Sequence, residues 1–317
     1  MKTLVVITGP TAVGKSKLCE RLAMHFHIPI INADSRQIFK EMRIGTAAPS
    51  AETLAAIPHH FVGTLPLGSY YSAALFESQV LQLIGQQGEL SLLSGGSMMY
   101  IDAVCKGIDD IPTIEDHIRE QLKERLEKEG LEALCQQLET LDPEYYEFVD
   151  KKNTRRVVHG LEICLQTGKT YTSFRKQQTK ERPFRIIKIG LNRPREELYE
   201  RINRRVDEMM AEGLLDEVKR LLPYRHENAL NTVGYKELFA YLDGTYSLEE
   251  AVERIKGNTR RYARKQLTWF KRDETMTWFH PDDEEAIIRF IQTQTSNQNN
   301  LTINKCLTVR HEESFHH

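Results

Sequence analysis

Short apolar runs alternate with helical stripes in the first and last thirds of the chain. Residues 4–8, 28–31, 90–94 and 184–191 are rich in Val, Ile and Leu, as expected of strands buried in a parallel sheet. Between these runs apolar residues recur every three or four positions, as they do from residue 16 to residue 26, which predicts amphipathic helices. Strands that alternate with helices predict an α/β fold, a parallel sheet with helices on both faces.

The pattern changes between residues 113 and 179, where no segment predicts a strand. An apolar residue stands at every fourth position from 114 to 126, which predicts a helix that ends at Gly130, and further helix is expected as far as residue 165. Thr113 and Asp116 have the spacing of a capping box at the start of this helix. The segment is therefore predicted to be a helical insertion.

These patterns divide the chain into a core, an insertion and a tail. Residues 1–112 and 180–290 are predicted to form the core, and residues 113–179 the inserted all-helical domain. Within the core, the segment 45–58 is predicted to be irregular because Thr and Pro residues punctuate it. Residues 291–317 form a polar C-terminal tail, in which 301–309 could add a short strand.

Composition narrows the class of protein. The chain has 317 residues, of which 40% are hydrophobic and 28% are charged, as in a globular protein of about two domains. No apolar run approaches the roughly 20 residues that cross a bilayer, and the first residues lead into a strand, so we expect neither a membrane span nor a secretory signal. The five cysteines include no C-x-x-C pair. We therefore expect neither a zinc site nor a disulfide framework. We do expect reduced thiols, a cytoplasmic location and, by default, a monomer.

Two stretches are basic although the net charge of the chain is only −2. Residues 151–180 hold eight Lys or Arg against one acid, Glu162, and residues 256–272 hold seven against none. A run of like charge usually marks a solvated face. Two acid-poor basic runs in a nearly neutral protein are less usual, and they favour nucleic-acid binding. Aromatic residues within the second run suit stacking on unpaired bases, although such residues more often belong to a core.

The clearest motif is the sequence GPTAVGKS at residues 9–16, which fits the phosphate-binding P-loop G-x-x-x-x-G-K-[ST]. It lies between the first predicted strand and the first predicted helix, where backbone N–H groups and a helix N-terminus can hold an anion. Lys15 adds a cation, and Ser16 offers a hydroxyl to a magnesium ion. The predicted cradle comprises Gly9, Pro10, Thr11, Ala12, Val13, Gly14, Lys15 and Ser16. The motif alone allows either a nucleoside triphosphate or the diphosphate of another molecule.

Two further side chains, those of Asp34 and Ser97, are candidates for the same site. Asp34 follows the second predicted strand and Ser97 follows the third, so both are expected at the sheet edge that carries the P-loop. Asp34 could equally cap a helical turn, and for Ser97 a capping role is slightly favoured. Arg201 and Arg205 lie four residues apart on one predicted helix, where two solvated arginines are the ordinary explanation.

The third strand carries no carboxylate at its end. An ATPase or GTPase should show an apolar strand that ends in a magnesium-holding Asp, whereas this strand leads into Gly95-Gly96-Ser97. Asp34 is the only strand-end carboxylate near the loop, which favours a reaction other than nucleotide hydrolysis. A single carboxylate beside a diphosphate cradle can accept a proton from a nucleophile while the diphosphate leaves.

Several motifs together resemble one family. These are the P-loop, the segments 34–39 (DSRQIF), 44–47 (IGTA), 95–100 (GGSMMY) and 233–237 (VGYKE), and the basic stretch 259–270. In this order they are similar to the bacterial tRNA dimethylallyltransferases, and they span residues 3 to about 272. Phe39 departs from the common Tyr of that family. The resemblance implies transfer of a dimethylallyl group from dimethylallyl diphosphate to N6 of the adenosine 3′ of the anticodon, in tRNAs that read codons beginning with U.

The resemblance also implies roles for individual residues. Asp34 matches the general base, and Arg205 matches the arginine that neutralises the departing diphosphate, in place of a solvated arginine. Ser97 would hydrogen-bond a leaving-group oxygen, and the P-loop would hold the diphosphate with Mg²⁺ at Ser16. The residues that match contacts to the tRNA anticodon stem-loop are Asp34, Ser35, Arg36, Gln37, Ser97, Arg119, Arg155, Arg156, Val157, Val158 and His159.

Two rival functions use the same features. A small-molecule or nucleoside kinase would share the P-loop and use Asp34 as the base for a hydroxyl, and it would turn over ATP without needing the basic insertion. A non-catalytic RNA-binding regulator would retain the P-loop as a switch and would tolerate the loss of Asp34.

Overall fold

The structure, a computed structural model, describes residues 1–176 and 179–296. The chain forms two compact units. The first comprises Met1–Cys105 together with the chain from Arg182 onward, and the second comprises Lys106–Glu181. The predicted strand at 301–309 lies outside the described residues.

A six-stranded sheet forms the centre of the first unit. Its strands are β1 Thr3–Thr8, β2 Ile30–Ala33, β3 His59–His60, β4 Leu90–Gly95, β5 Arg185–Leu191 and β6 Thr277–Phe279. They lie in the order β3-β2-β4-β1-β5-β6, and every pairing is parallel. The predicted α/β fold is therefore confirmed, although β2 begins two residues later than the sequence pattern suggested. The edge strands β3 and β6 were not predicted, because two or three residues are too few to show a period.

Helices follow each of the four longer strands. In chain order they are α1 Lys15–Phe26, α2 Ala51–Ala56, α3 Ala73–Gln86, α4 Met98–Lys106, α5 Asp116–Leu141, α6 Pro143–Phe148, α7 Thr154–Thr167, α8 Tyr171–Phe174, α9 Arg195–Ala211, α10 Leu214–Arg220, α11 Tyr235–Leu242 and α12 Leu248–Phe270. Residues 284–296 are also helical. Helix α2 lies in the segment predicted to be irregular, where the Ser50 hydroxyl caps it by accepting a hydrogen bond from Thr53 N (3.2 Å). None of the helices within the described ranges has the length and apolar character that a bilayer span requires.

Both faces of the sheet are covered by apolar residues. Alternate residues of β1 point to opposite sides, so Val5 and Ile7 pack with α1 and α9, while Leu4 and Val6 pack with α3 and α4. A third cluster joins α9, α10, α11 and α12 beside the segment 38–44. This arrangement leaves the carboxyl ends of β1, β2 and β4 as the edge at which loops can form a site.

The second unit is helical and has its own core. Leu122, Leu134, Leu138 and Leu161 are fully buried there. Of the predicted apolar stripe, Leu122 belongs to this core, and Ile118 and Leu126 pack against it. The predicted capping box is wrong, because α5 begins at Asp116 after a Glu115 N-cap that makes no side-chain cap bond. The side chain of Gln166, on α7, instead accepts from Glu115 N and donates to the carbonyl of Thr113. A partner 51 residues away thus replaces the local cap.

The close approach of β2 and β4 gives a testable stability prediction. A Cβ added to Gly95 would lie 2.1 Å from the carbonyl oxygen of Ala33, so Gly95→Ala should force the two strand ends apart and destabilise the protein by roughly 3 kcal/mol. Urea unfolding monitored by circular dichroism measures the change.

The control for this variant is Gly85→Ala, in α3, where an added Cβ meets nothing within 4 Å. That substitution should leave stability unchanged or raise it by up to about 1 kcal/mol, because Ala is the better helix former. Equal unfolding midpoints for the two variants would contradict the prediction.

Candidate active site

Three strands deliver their loops to one place. Thr8 of β1 and Ala33 of β2 are both register partners of Gly95 on β4. The P-loop, Asp34 and Gly96-Ser97 therefore leave the sheet side by side. The structure brings these sequence-predicted residues together because parallel strands of similar length end at the same edge.

Two cavities open between these loops and helices α9 and α12. The first, which we call the cradle cavity, has a volume of about 500 Å³ and is lined by the P-loop, Asn32, Ser94, Gly95, Gly96, Arg201, Arg204 and Gln266, among others. The second, the apolar cavity, has a volume of about 260 Å³. Its lining includes Ile202, Val206, Met209, Leu214, Val233 and Ile255. Four residues line both cavities, namely Thr11, Asp34, Arg205 and Tyr262.

Two arginines of the helix-α9 region bond carbonyl groups of the P-loop. Arg201 donates from Nε to the carbonyl of Ala12 (2.9 Å), and Arg193 donates from Nε to the carbonyl of Val13 (2.8 Å). Gly9 is required here because its φ is +150° and an added Cβ would lie 2.6 Å from the carbonyl of Leu191. With these carbonyls bonded to arginines, the first N–H groups of α1, which have no partner within the helix, remain for an anion.

Lys15 and Arg205 supply positive charge. Lys15 Nζ donates to the carbonyls of Gly9 (2.9 Å) and Pro10 (2.7 Å). Removal of its ammonium group from water, followed by repulsion from Arg205, lowers the pKa of Lys15 to about 8, against attraction from Cys19 and Asp34. Removal from water also lowers the pKa of Arg205, and the carboxylate of Asp34 opposes that shift. Two partly desolvated cations with one nearby carboxylate form a site that favours a multiply charged anion.

Asp34 combines both roles that the sequence allowed. Its Oδ1 accepts hydrogen bonds from the backbone N–H groups of Arg36 (2.8 Å) and Gln37 (3.2 Å), so it closes the turn after β2. The same carboxylate lines both cavities. Its Oδ2 accepts none of the hydrogen bonds found among the described residues, and it is the oxygen available to a ligand.

Ser97 lies at the start of α4 and lines the apolar cavity. Its hydroxyl accepts from Ser35 N (2.8 Å) and donates to Ser35 Oγ (3.2 Å). Its carbonyl begins α4 by accepting from Tyr100 N (3.0 Å). Ser35 and Arg36 line the same cavity, whereas Gln37 lines the cradle cavity and donates from Nε2 to the carbonyl of Thr46 (2.9 Å).

Sequence reasoning missed Gln266 of α12. Its side chain is 2% exposed, accepts from Thr11 N (2.8 Å) and donates to the carbonyl of Gly96 (2.9 Å), so it joins the P-loop to the turn after β4. Its position could have indicated this role, because Gln266 lies on the same buried stripe of α12 as Ala263 and Phe270. The sequence prediction for this segment used only its charges and aromatic rings. Of those rings, Tyr262 faces the cavities, whereas Trp269 is half-buried, packs against the core and donates to Asp102 (2.8 Å).

The remaining predicted residues all lie in the helical unit. Arg155 and Arg156 are exposed at the start of α7, His159 is half-buried 3.3 Å from Glu162, and Arg119 is half-buried 3.6 Å from Asp116 on α5. Val157 is fully buried and packs in the core of the unit, which Val158 borders. The side chain of Val157 therefore faces the core of the unit, and the prediction that residue 157 contacts RNA stays a prediction.

The sheet and the cradle define the class of this protein as a P-loop protein of the α/β type. A family model for IPP transferase matches residues 37–273. Over 297 residues the chain is 59% identical to tRNA dimethylallyltransferase 1 of Bacteroides thetaiotaomicron, covering 93% of this chain and 96% of that one. It is 58% identical to tRNA dimethylallyltransferase 1 of Phocaeicola vulgatus, covering 92% and 98%. The chain therefore belongs to the IPP transferase family, the tRNA dimethylallyltransferases.

Solved structures agree with this assignment. The full-length tRNA isopentenylpyrophosphate transferase of Bacillus halodurans is similar with a TM-score of 0.70 and 36% identity, over 95% of this chain and 99% of that chain. A eukaryotic dimethylallyltransferase acting on tRNA is similar with a TM-score of 0.69 and 28% identity, over 85% of this chain and 70% of that chain. The predicted fold and family are confirmed by these similarities.

The lowered pKa of Lys15 gives a pH prediction for anion binding. In the free protein Lys15 is mostly protonated at pH 7 and mostly neutral at pH 9, since its pKa is about 8. An anion in the cradle favours the protonated form, so affinity for inorganic diphosphate should fall by about tenfold between pH 7 and pH 9 through this group alone. Isothermal titration calorimetry at several pH values measures the fall.

A Lys15→Arg variant separates this effect from the ionisation of diphosphate itself. Its side chain stays charged over the whole range, so its affinity should follow only the ionisation of the ligand. Parallel pH curves for the two proteins would show that Lys15 does not titrate in this window.

Proposed function

We propose that this protein transfers a dimethylallyl group from dimethylallyl diphosphate to N6 of the adenosine at tRNA position 37, in tRNAs that read codons beginning with U. The products are N6-dimethylallyladenosine and diphosphate. One observation carries the proposal beyond the family. Asp34 and Arg205 line both the cradle cavity and the apolar cavity, so an anionic leaving group and a small apolar group can meet at the same two side chains.

The diphosphate end of the donor fits the cradle cavity. The N–H groups at the start of α1, Lys15 and Arg205 would hold its oxygens, and they would stabilise the negative charge that grows as the C1–O bond breaks. Preorganised charge of this kind is usually the largest catalytic contribution. The dimethylallyl end would occupy the apolar cavity, whose aliphatic side chains exclude water from a carbon centre that water could otherwise attack.

Asp34 is proposed as the base. N6 of the adenosine attacks C1, the bond between C1 and the diphosphate oxygen breaks, and diphosphate takes the electron pair. The nitrogen becomes cationic in this step, and the carboxylate of Asp34 takes its proton. Because Oδ1 is held by two backbone N–H groups, the proton is received by Oδ2. Ser97, bonded to Ser35, would hold the segment 35–37 against the target nucleotide.

Mg²⁺ is the proposed metal. Ser16 is exposed at the mouth of the cradle cavity and offers one hydroxyl oxygen, while no group of three or more His, Cys, Asp or Glu side chains within the described ranges could ligate an ion. This donor set fits Mg²⁺, which keeps several waters and takes its other ligands from substrate phosphates. When bound, the ion would neutralise diphosphate charge beside Ser16.

The RNA partner is proposed to be the anticodon stem-loop, held in part by the helical unit. Four exposed cations of that unit, Lys151, Lys152, Arg155 and Arg156, take part in none of the ion pairs found among the described residues. Other cations of the unit are paired, for example Lys128 with Glu124 (3.4 Å). Cations left without acidic partners are available to phosphates.

The deciding experiment combines the protein, Mg²⁺, ATP, dimethylallyl diphosphate and an unmodified anticodon stem-loop RNA with the adenosine in place. Mass spectrometry should find the mass of one dimethylallyl group added to that adenosine. Hydrolysis of ATP without prenylated RNA would instead support the rival kinase function. A kinase would not require the apolar cavity.

Asp34→Asn should lower the rate of transfer by roughly 10²–10⁴, because the amide cannot take the proton. The fold should survive, since the amide oxygen can still accept from Arg36 N and Gln37 N. Single-turnover kinetics measures the rate, and a filter-binding assay should give an RNA affinity within about twofold of the unaltered protein. Asp243→Asn, an exposed change that lines neither cavity, is the control. Equal rates for both variants would remove Asp34 from the reaction.

RNA affinity should fall as salt rises, because the exposed cations displace counterions from the phosphates. Replacing both Arg155 and Arg156 by Gln should reduce the slope of log affinity against log salt by about 1 to 2. Lys128→Gln, which removes a paired cation from the same unit, is the matched control and should leave the slope unchanged. A slope that neither change affects would mean that these arginines are solvated surface.

A further inference from the structure

A buried carboxylate outside the proposed machinery lies behind the apolar cavity. Glu217 of α10 is 2% exposed and takes part in none of the ion pairs found in the described part of the chain. It accepts four hydrogen bonds instead. Three come from the backbone N–H groups of Arg43 (3.0 Å), Ile44 (2.8 Å) and Gly45 (3.0 Å), and the fourth comes from the hydroxyl of Tyr235 (2.7 Å).

This carboxylate fixes a segment that has no regular structure of its own. Residue 43 has no regular structure and residues 44–47 lie in turns, so their consecutive N–H groups cannot find partners in a helix or sheet. Glu217 satisfies three of them at once. Gly45 is also pressed against the ring of Tyr235, where an added Cβ would lie 2.6 Å from the ring carbons. Glu217 therefore fixes the backbone of residues 43–45, and the ring of Tyr235 limits how closely Gly45 can pack.

The segment in turn touches the groups that face the substrate. Gly45 and Thr46 line the apolar cavity. The carbonyls of Thr46 (2.9 Å) and Ala47 (3.2 Å) accept from Gln37 Nε2, and Gln37 N donates to Asp34 Oδ1 (3.2 Å). A continuous series of hydrogen bonds therefore leads from Glu217 through residues 43–47 and Gln37 to the carboxylate of Asp34.

We propose that Glu217 is a positioning residue, whose buried carboxylate holds residues 43–45 and so orients Gln37 and Asp34 at the wall of the apolar cavity. This inference rests on the proposed function for its catalytic consequence. Glu217 itself touches neither cavity. A charged acceptor is needed because a single amide oxygen cannot replace two carboxylate oxygens that receive four donors, and an amide would turn an N–H group towards other N–H groups.

Glu217→Gln tests the proposal without reference to activity. In hydrogen–deuterium exchange, amides of the segment 43–45 should be protected in the unaltered protein and should exchange at least tenfold faster in the variant. Tyr235→Phe removes one donor and keeps the three backbone bonds, so exchange there should change by no more than about threefold. Unchanged protection of 43–45 in Glu217→Gln would overturn the proposal.

The catalytic arm compares transfer with anion binding. Glu217→Gln should lower kcat for dimethylallyl transfer to the stem-loop RNA by about 10- to 100-fold, while affinity for inorganic diphosphate, which the cradle cavity binds, stays within about twofold. A merely structural defect would lower both together, and that result would overturn the positioning role.

Asp273→Asn is the matched control. Asp273 belongs to the same unit, lines neither cavity, and accepts from Lys188 Nζ (2.7 Å), Thr275 N (3.1 Å) and Thr275 Oγ1 (2.6 Å). It should lower the melting temperature and leave kcat within about twofold.

If the unaltered protein transfers no dimethylallyl group, the proposed function fails, whereas the exchange experiment still decides whether Glu217 holds the segment.

Discussion

The site depends on the side-by-side ending of three parallel strands. Because Thr8 and Ala33 both pair with Gly95, the loops that follow β1, β2 and β4 begin within a few ångströms of one another. Glycine at 95 is what allows this, since any side chain there would meet the carbonyl of Ala33. The proximity of the P-loop, the Asp34 carboxylate and the Ser97 hydroxyl follows from this one constraint on the backbone.

Around that edge, long-range hydrogen bonds set the detail. Gln266 and Arg201 reach the P-loop from helices more than 180 residues later in the chain, and Glu217 reaches the segment 43–45 from a distance of over 170 residues. Each of these side chains bonds backbone groups of the loops, and Glu217 also accepts from the hydroxyl of Tyr235. Helices α9, α10 and α12 therefore act on the site by shaping its loops, and Arg205 and Tyr262 from the same helices face the ligand space directly.

Features that depend on residues close together in the sequence could be predicted, whereas features that depend on distant residues could not. The P-loop and the strand-end positions of Asp34 and Ser97 were predictable because local periodicity and a contiguous motif encode them. Gln266 and Glu217 were not, because their partners are distant and a buried polar residue in an amphipathic helix resembles a surface one. The failed capping box at Thr113 has the same cause, since Gln166 took over the bonds. The burial of the Val157 side chain was not predicted either, because similarity to a motif carries no information on which face of a helix is buried.

Lys15 bonds carbonyl groups of its own loop, and these bonds affect which anions the loop can bind. Its ammonium group already has two good acceptors in the carbonyls of Gly9 and Pro10, and Thr11 N is likewise occupied by Gln266. An incoming anion must therefore outcompete contacts that exist before it arrives. A chloride or a lone carboxylate offers too few oxygens or too little charge to do so. A ligand with two linked phosphoryl groups presents several acceptors at fixed spacing, so the internal hydrogen bonds of the loop favour such a ligand over a simpler anion.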